Sequence, residues 1–338
     1  MKYSPLLLLL MLSCYATNAA SPPEELGRAH WLRDFEQGLE RAGREGKLVF
    51  LLFQEVPGCS TCRNFGQEVL SHPLIVEAIE TLFVPVAIYN NKGGKDAEVL
   101  KFYNEPAWNN PVVRIVGFSR FDAAPRVSGN YSQLGVVQAM VFALEQHGQA
   151  VPAYLRLFYE ELQAERQGTE TLTLSMYCFW TGEKQLGQLD GVVDTHTGFM
   201  NGQEVVQVTY NPGVLSFEAI VKTGRQQHCA DRVFTHSETQ QKAATALLGK
   251  ENTAPASTFR PGREPKYYLS KTHYRAVPMT PLQAARANAL IGQGLPPEKV
   301  LSPRQLALAE AIGRKPESSW DNAIGKDIMQ AWQWGAPE

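Results

Sequence analysis

The stretch "KLVFLLFQEVPGCSTC", residues 47–62, joins an apolar run to a pair of cysteines. The run Lys47–Phe53 has the length and composition that predict a buried strand. A Pro-Gly turn ends it, and Cys59 and Cys62 then stand at the start of the next predicted helix. Two thiols three residues apart can gain and lose two electrons by thiol–disulfide exchange, and a helix N-terminus favours the thiolate at the first of them.

Two other interpretations of this pair stay open on the spacing alone. Cys59 and Cys62 could form half of a zinc site or an inert structural disulfide. Zinc needs two further ligands, and the sequence has no second CxxC motif and no close pair of histidines. The spacing therefore favours a redox dithiol, and we predict no metal and no cofactor.

Helices and strands alternate on both sides of the motif. Further strands are predicted at "FVPVAIY", residues 83–89, and at "NNPVVRIVGF", residues 109–118, and the amphipathic run Leu134–His147 predicts a helix. A second alternating region begins with "TLTLSMY", residues 171–177, and the chain then becomes mostly helical. Such alternation predicts α/β layer structures, and the Pro/Gly/Ser-rich residues 249–265 predict an exposed loop.

The composition sets limits on the class of protein. At 338 residues, with 44 % hydrophobic and 20 % charged residues, the chain has room for two globular domains. The formal net charge is −2 and there is no dense run of Lys or Arg, so nucleic acid is not expected as a partner.

The first residues have the pattern of a secretory signal peptide. Lys2 is followed by the apolar run Leu6–Leu12 and by the small residues "ATNAAS", residues 16–21. The apolar run is too short to span a bilayer. We therefore expect an exported protein, periplasmic or secreted. Cys14 also allows cleavage as a lipoprotein, which would leave a lipid anchor as the only contact with a membrane.

Residues of about 30–147 resemble the thioredoxin family. The order helix, strand, CxxC, helix is followed by Asn110-Pro111, which opens a later strand and matches the cis-proline beside the family's active disulfide. The residues before Cys59 also resemble those of a thioredoxin-like group in which selenocysteine can hold the first position. The resemblance implies an α/β/α domain in which Cys59 and Cys62 are catalytic and Pro111 contacts the substrate.

A second pattern surrounds "MYCFWTGE", residues 176–183. Together with "GVVDTHTGF" and "EVVQVTYNP" it resembles peptide methionine sulfoxide reductase of the A type. The resemblance covers residues 172 to about 274 and implies an α/β domain of ferredoxin-like type.

Individual residues match the motifs of this family. Cys178 matches the nucleophile that attacks the sulfoxide sulfur, and Phe179 and Trp180 match the cage around the substrate methyl group. Glu204 matches the acid that protonates the departing oxygen. Asp231 matches an aspartate of the active-site loop, and Cys229 is then the expected resolving thiol.

The chain also departs from the family at several positions. Tyr177 and Thr181 replace two glycines that flank Cys-Phe-Trp. A long segment that carries an oxygen-binding tyrosine is reduced to "MNGQ", residues 200–203, and a second such tyrosine falls near Phe234. Of three oxygen-side donors, only Glu204 is kept. Tyr267, Tyr268 or His228, of which the last lies outside the residues described below, could substitute for the others.

The predicted organisation follows from both resemblances. A signal peptide, a thioredoxin-like domain, a helical linker, a reductase-like domain and a helical extension are expected at residues 1–20, 25–148, 149–170, 171–275 and 276–338.

Three functions remain open at this point. The first is a methionine sulfoxide reductase of the (S)-S-oxide type with an attached dithiol reductant. The second is a thiol–disulfide oxidoreductase that acts on protein thiols, with the reductase-like domain as a docking module. The third is a binding module for thioether or oxidised methionine side chains. The expected partners are a protein with oxidised methionine or a disulfide and an upstream thiol reductant.

Overall fold

The computed structural model describes residues 23–226, 230–315 and 320–333. Three predictions fall outside the described residues: the signal peptide at residues 1–20, the lipid attachment at Cys14 and the resolving thiol at Cys229. Within the described part, the chain forms one sheet of four strands and one of six.

The four-stranded sheet belongs to the first α/β unit. Its strands are β1 (Leu48–Gln54), β2 (Phe83–Tyr89), β3 (Val112–Val116) and β4 (Val127–Ser128). The order is β2-β1-β3-β4, with β1 parallel to β2 and antiparallel to β3. Every residue of β1 is buried, as its continuous apolar run predicts.

Helices cover both faces of this sheet. They are α1 (Phe35–Glu45), α2 (Ser60–Asn64), α3 (Pro73–Leu82), α4 (Lys95–Phe102), α5 (Gln133–Gln146) and α6 (Ala153–Gln167). Phe50 and Leu52 pack with residues of α3, α5 and α6, whereas Val49 and Leu51 on the other face pack with residues of α1 and α4. Side chains of a strand alternate between faces, so two separate cores form. The predicted α/β/α layers are confirmed.

The six-stranded sheet belongs to the second unit. Its strands are β5 (Glu170–Ser175), β6 (Val192–Met200), β7 (Gln203–Tyr210), β8 (Arg232–Thr235), β9 (Thr253–Pro255) and β10 (Arg260–Pro261), in the order β10-β6-β7-β5-β8-β9. Its helices are α7 (Phe179–Leu186), α8 (Phe217–Gln226) and α9 (Glu238–Leu248). The four central strands and the helices α7 and α8 follow one another as β-α-β-β-α-β, and the order β6-β7-β5-β8 is ferredoxin-like, as expected.

Part of the second sheet departs from the predicted elements. Residues 249–265 were expected to be an exposed loop, but they contain β9 and β10, which pair with β8 and β6. Strand β8 is also present without having been predicted. These strands have two to four residues, and such short pieces lack the alternation that distinguishes a strand in the sequence.

The predicted linker, residues 149–170, contains α6, which is packed and does not act as a free spacer. Leu155 and Phe158 lie in the core of the first unit, and Leu157 packs with the C-terminal helices. Those helices are α10 (Tyr267–Ser270), α11 (Pro281–Gly292), α12 (Pro303–Arg314) and α13 (Ile328–Ala331). Ile328 returns to the first core, so the helical extension packs against both units.

Two buried carboxylates fix this arrangement. Glu77 on α3 accepts a hydrogen bond from the backbone N–H of Arg304 at 3.0 Å, near the start of α12. Glu161 on α6 accepts one from the N–H of Leu282 at 3.0 Å, near the start of α11. Each carboxylate satisfies an N–H group that a helix start leaves without a partner. Burial raises the pKa of Glu161 to about 7.

The raised pKa of Glu161 predicts how stability depends on pH. At a pH between 4.5, the ordinary pKa of a glutamate, and about 7, Glu161 keeps its proton in the folded chain and loses it in the unfolded chain. This contribution is therefore fully present below pH 4.5 and is lost as the pH rises to about 7. A pKa difference of this size corresponds to roughly 3 kcal/mol. We expect Glu161→Gln to flatten the pH dependence of the free energy of unfolding in this window, measured by urea denaturation. Parallel curves for both proteins would contradict the assignment.

Candidate functional site

The Cys59–Cys62 pair lies where β1 ends and α2 begins. Cys59 is the N-cap residue of α2 and is exposed, whereas Cys62 lies one turn later and is fully buried. The two sulfur atoms are 3.6 Å apart, in the reduced state. Gly58 permits this turn, because a Cβ atom there would lie 2.7 Å from the Cβ of Cys62. The exposed sulfur is therefore open to a partner and the second sulfur stands directly behind it.

The two thiols differ in acidity. The backbone N–H of Cys62 donates to the Cys59 sulfur, and together with the Cys62 thiol it outweighs partial burial and lowers the pKa of Cys59. Burial, with a smaller contribution from the nearby Cys59, raises the pKa of Cys62 to about 11. This difference in acidity would suit Cys59 to act as a nucleophile and Cys62 to act as the protonated thiol that resolves a mixed disulfide.

Pro111 lies beside this pair, as expected. The Asn110–Pro111 peptide bond is cis, which confirms the predicted cis-proline. The Cys62 thiol donates to Oδ1 of Asn110 at 2.7 Å, and Nδ2 of Asn110 donates to the carbonyl of Ala107 at 3.2 Å. Trp108, in the same loop, is 82 % exposed. The sequence identified the proline, but it did not identify Asn110 as a partner of the buried thiol.

Cys178 occupies the corresponding position in the second unit, between β5 and α7. It is the N-cap residue of α7, its thiol is half-buried, and the Thr181 hydroxyl lies 3.6 Å from its sulfur. Glu204 on β7 lies next to this junction. Its Oε2 accepts a hydrogen bond from the N–H of Phe179 at 3.1 Å, and its backbone carbonyl accepts one from Met176 at 3.0 Å. The structure therefore brings Cys178 and the predicted acid together.

Aromatic side chains form a wall beside Cys178. Phe179 is buried and contacts the ring of Phe199, with the two ring centres 5.6 Å apart. The half-buried indole of Trp180 stacks on Tyr267, with the ring centres 3.9 Å apart and the planes 14° from parallel. The predicted cage residues are thus adjacent, and Tyr267, one of the residues that the sequence offered as a replacement donor, is an additional member of the wall. An apolar wall of this kind suits a methyl or thioether group.

A buried charge cluster holds Tyr267 in place. The preceding residue, Lys266, is buried, and its Nζ lies 2.8 Å from Oδ1 of Asp194 and 3.4 Å from Oε1 of Glu183. It also donates to the backbone carbonyl of Thr195. Glu183 belongs to α7 and Asp194 to β6, so one ammonium group connects the helix of Cys178, the neighbouring strand and the segment that carries Tyr267.

The cluster has two carboxylates for one ammonium group. Burial would lower the pKa of Lys266, but the Asp194 and Glu183 carboxylates outweigh it and raise that pKa. Burial opposes ionisation of Asp194, yet Lys266 and His196 hold its pKa below the ordinary range. Burial raises the pKa of Glu183, the carboxylate farther from the ammonium. Asp194 and Lys266 therefore form the ionised pair.

The remaining predicted residues have different outcomes. Asp231 is exposed, and its N–H donates to the carbonyl of Ser175 at 3.0 Å, which places its backbone at the end of β5 that leads to Cys178. Cys229 lies outside the described residues. Phe234, predicted near an oxygen-binding position, is fully buried with Met200 and Val205 in a small core, away from the aromatic wall.

The shortened segment between β6 and β7 is a two-residue hairpin turn. Asn201 and Gly202 have φ values of 50° and 77°, the left-handed backbone that such turns require. No tyrosine stands in this turn, so the departure that the sequence indicated is confirmed. Among the described residues, no helix is both long and apolar enough to cross a membrane.

Comparisons with known proteins divide the chain in the same way. A family model described as thioredoxin-like matches residues 30–117. The peptide methionine sulfoxide reductase MsrA of Methanoculleus marisnigri is 34 % identical over 129 residues, which cover 29 % of this chain and 77 % of that protein. The mitochondrial peptide methionine sulfoxide reductase of Mus musculus is 25 % identical over 154 residues, covering 34 % of this chain and 66 % of the relative.

Other relatives match over shorter parts. The MsrA of Methanococcus maripaludis strain C6 is 30 % identical over 77 residues, 18 % of this chain and 49 % of that protein. The chain thus spans between about half and about three quarters of these relatives. A solved structure, Mxr1 from Saccharomyces cerevisiae in an unusual oxidised form, aligns with a TM-score of 0.24 and 22 % identity, covering 28 % of this chain and 77 % of that chain.

The contribution of the charge cluster around Lys266 to the free energy of unfolding can be tested by substitution. Lys266→Met would leave Asp194 and Glu183 buried without their cation, and we expect it to lower the free energy of unfolding by about 3–5 kcal/mol. The matched control is Lys271→Met, which removes an exposed lysine paired with Glu264 and should change stability by less than about 1 kcal/mol. Urea denaturation of both variants measures the difference. Equal stability of the two variants would show that the fold does not depend on the buried ion pair.

Proposed function

The chain belongs, through its second unit, to the peptide methionine sulfoxide reductase MsrA family, and we propose that it reduces methionine sulfoxide in proteins with its own thioredoxin-like unit as the reductant. The observation that carries the proposal is the position of Glu204. Its carboxylate accepts a hydrogen bond from the first N–H of the helix that Cys178 caps, so the acid stands beside the nucleophile. The rings of Phe179 and Trp180, the two residues that follow Cys178, are 5.6 Å apart, and Tyr267 stacks on Trp180.

In the proposed first step, the Cys178 sulfur attacks the sulfoxide sulfur while Glu204 supplies a proton to the oxygen. The sulfur–sulfur bond formed by this attack is transient, and it breaks together with the sulfur–oxygen bond as the hydroxyl group passes to Cys178. The products are a thioether and a sulfenic acid on Cys178, and the proton released by the Cys178 thiol replaces the one that Glu204 supplied. Methionine is reduced by two electrons and the cysteine is oxidised by two. The apolar wall excludes water from the methyl side of the substrate, which strengthens the hydrogen bonds of the oxygen side.

The next steps return Cys178 to its reduced form. We propose that the Cys229 thiol condenses with the sulfenic acid, which releases water and forms a Cys178–Cys229 disulfide. The Cys59 thiolate then attacks this disulfide, and Cys62 resolves the mixed disulfide. The Cys59–Cys62 disulfide that results needs an upstream dithiol reductant before the next cycle.

The catalytic rate is expected to be modest. Each oxygen-side donor in such a site contributes about 3 kcal/mol to the stability of the transition state. The segment that carried one donor is a two-residue turn, and Phe234 has no hydroxyl at the second position. Glu204 is the donor that stays at the site. The hydroxyl of Tyr267 has no hydrogen-bond partner among the described residues, so it is available to a substrate.

A second candidate function rests on the first unit alone. Cys59 is exposed with a lowered pKa, and the neighbouring loop presents the exposed Trp108. These features would also suit a thiol–disulfide oxidoreductase that acts on disulfides of other proteins. In that case, reduction of an insulin-type disulfide would depend on Cys59 and no sulfoxide would be turned over.

We also propose that the protein is exported, because residues 1–20 have the pattern of a signal peptide. An exported protein would act on oxidised methionines in a compartment where disulfides persist, which is why an attached dithiol would be useful there. Signal-peptide cleavage and lipid attachment at Cys14 remain the two alternatives.

Turnover of a methionine sulfoxide peptide with excess dithiothreitol tests the proposed function. Cys178→Ser should abolish turnover, because it removes the attacking sulfur. Glu204→Gln should lower kcat by roughly 100-fold or more, since the amide cannot supply the proton. Glu218→Gln, at the start of α8 and half-buried like Glu204, is the matched control and should leave the rate unchanged. Sulfoxide reduction that survives in Cys178→Ser would remove the basis for this assignment.

The number of methionines formed without added reductant tests the role of the dithiol. A fully reduced chain freed of dithiothreitol holds two thiol pairs and should form about two methionines per chain. Cys59→Ser should form about one, because only the Cys178–Cys229 pair can be oxidised. Mass spectrometry should then find the Cys59–Cys62 disulfide in the wild-type protein. One methionine per chain from both proteins would mean that the first unit does not reduce the second.

A further inference from the structure

The side chain of Glu55 lies next to the Cys59–Cys62 pair and has no role in the proposed redox cycle. A carboxylate oxygen of Glu55 and the two sulfur atoms all lie within 4.8 Å of one another. Glu55 follows β1 directly, and its carboxylate has no hydrogen bond or ion pair with any described residue. A half-buried carboxylate without a partner, beside two thiols, is an unusual arrangement unless something positively charged can join them.

The spacing of these atoms suits one metal ion. Zn²⁺ binds thiolate sulfur at about 2.3 Å and carboxylate oxygen at about 2.0–2.2 Å, in tetrahedral geometry. Two sulfurs on one tetrahedral zinc are therefore about 3.8 Å apart, and those of Cys59 and Cys62 are 3.6 Å apart. The sequence indicated at most half of a zinc site, because it holds no second CxxC motif and no close pair of histidines. The structure supplies a carboxylate as the third.

We propose that the reduced dithiol and Glu55 bind a single Zn²⁺ ion, with the fourth position open to water or to a thiolate from a partner. Binding replaces two thiol protons with the metal, so two protons are released for each ion bound. The mixture of two sulfurs and one oxygen favours a borderline ion such as Zn²⁺ over Cu⁺, which prefers sulfur alone. The site goes beyond the proposed sulfoxide reduction and does not require it.

Metal binding and disulfide formation exclude each other at this site. In a disulfide the two sulfurs are about 2.05 Å apart, and neither is a thiolate that could bind the metal. Zinc would therefore protect the dithiol from oxidation and also stop it from reducing a partner. The hydrogen bond from the Cys62 thiol to Asn110 would be lost in the zinc-bound form, since it needs the thiol proton.

Zinc titration of the reduced full-length chain, under anaerobic conditions and against a chromophoric chelator, tests the proposal. Cys59→Ser should lose one equivalent of bound Zn²⁺ relative to the wild-type protein, and this exposed position keeps the fold intact. Glu55→Gln should weaken binding at that equivalent by more than about tenfold. Glu68→Gln, an exposed glutamate on the following helical turn, is the matched control and should bind as the wild type does.

Two outcomes would overturn the proposal. Equal zinc stoichiometry in the wild type and in Cys59→Ser would place any bound ion elsewhere. Equal affinity in the wild type and in Glu55→Gln would remove the carboxylate from the site. Zinc binding is measured without any sulfoxide, so an absence of reductase turnover would leave this result unaffected, and the reverse also holds.

Discussion

The ammonium group of Lys266 holds together the parts of the second unit on which its chemistry depends. It pairs with Asp194 on β6, lies near Glu183 on α7, and is itself buried. Lys266 also has a φ of 51°, a left-handed backbone that costs a residue other than glycine about 1 kcal/mol. The buried ion pair offsets that cost. Because Tyr267 comes next in the chain, the position of its ring against Trp180 follows from the same interaction.

The two cysteines at the strand–helix junctions are positioned in the same way. Cys59 and Cys178 each follow a buried strand and each caps the helix that begins at the next residue. The sharp turn from strand to helix brings the thiol to the surface, while the strand behind it is held by its neighbours in the sheet. The two sites differ in their second group: a buried thiol stands behind Cys59, whereas the carboxylate of Glu204 stands beside Cys178.

Most of the fold and part of the site could be predicted from the sequence. Apolar periodicity identified β1 and the main helices, and the motifs around Cys59, Pro111, Cys178 and Glu204 identified residues that the structure brings together. Short-range patterns cannot indicate which distant residues will meet. Lys266 lies 72 residues from Asp194, and its burial depends on a partner that only the folded chain provides. The packing of α6 could not be predicted for the same reason, because the apolar pattern of a helix between two domains does not show which neighbours it will contact.

The sequence lacks the two tyrosines that the family places near the sulfoxide oxygen, but the folded chain brings a tyrosine from another segment to the aromatic wall. A two-residue turn at Asn201 and Gly202 replaces the longer segment that carries a tyrosine in the family that this chain resembles. In this chain the face of Trp180 is covered by Tyr267, which belongs to the distant segment that begins α10 and directly follows the buried Lys266. The aromatic wall therefore has a tyrosine, but one supplied by a different segment. An unpaired phenol hydroxyl can donate a hydrogen bond to a bound oxygen wherever it comes from in the chain. The buried ion pair of Lys266 and Asp194 therefore helps to position the aromatic wall as well as to stabilise the fold.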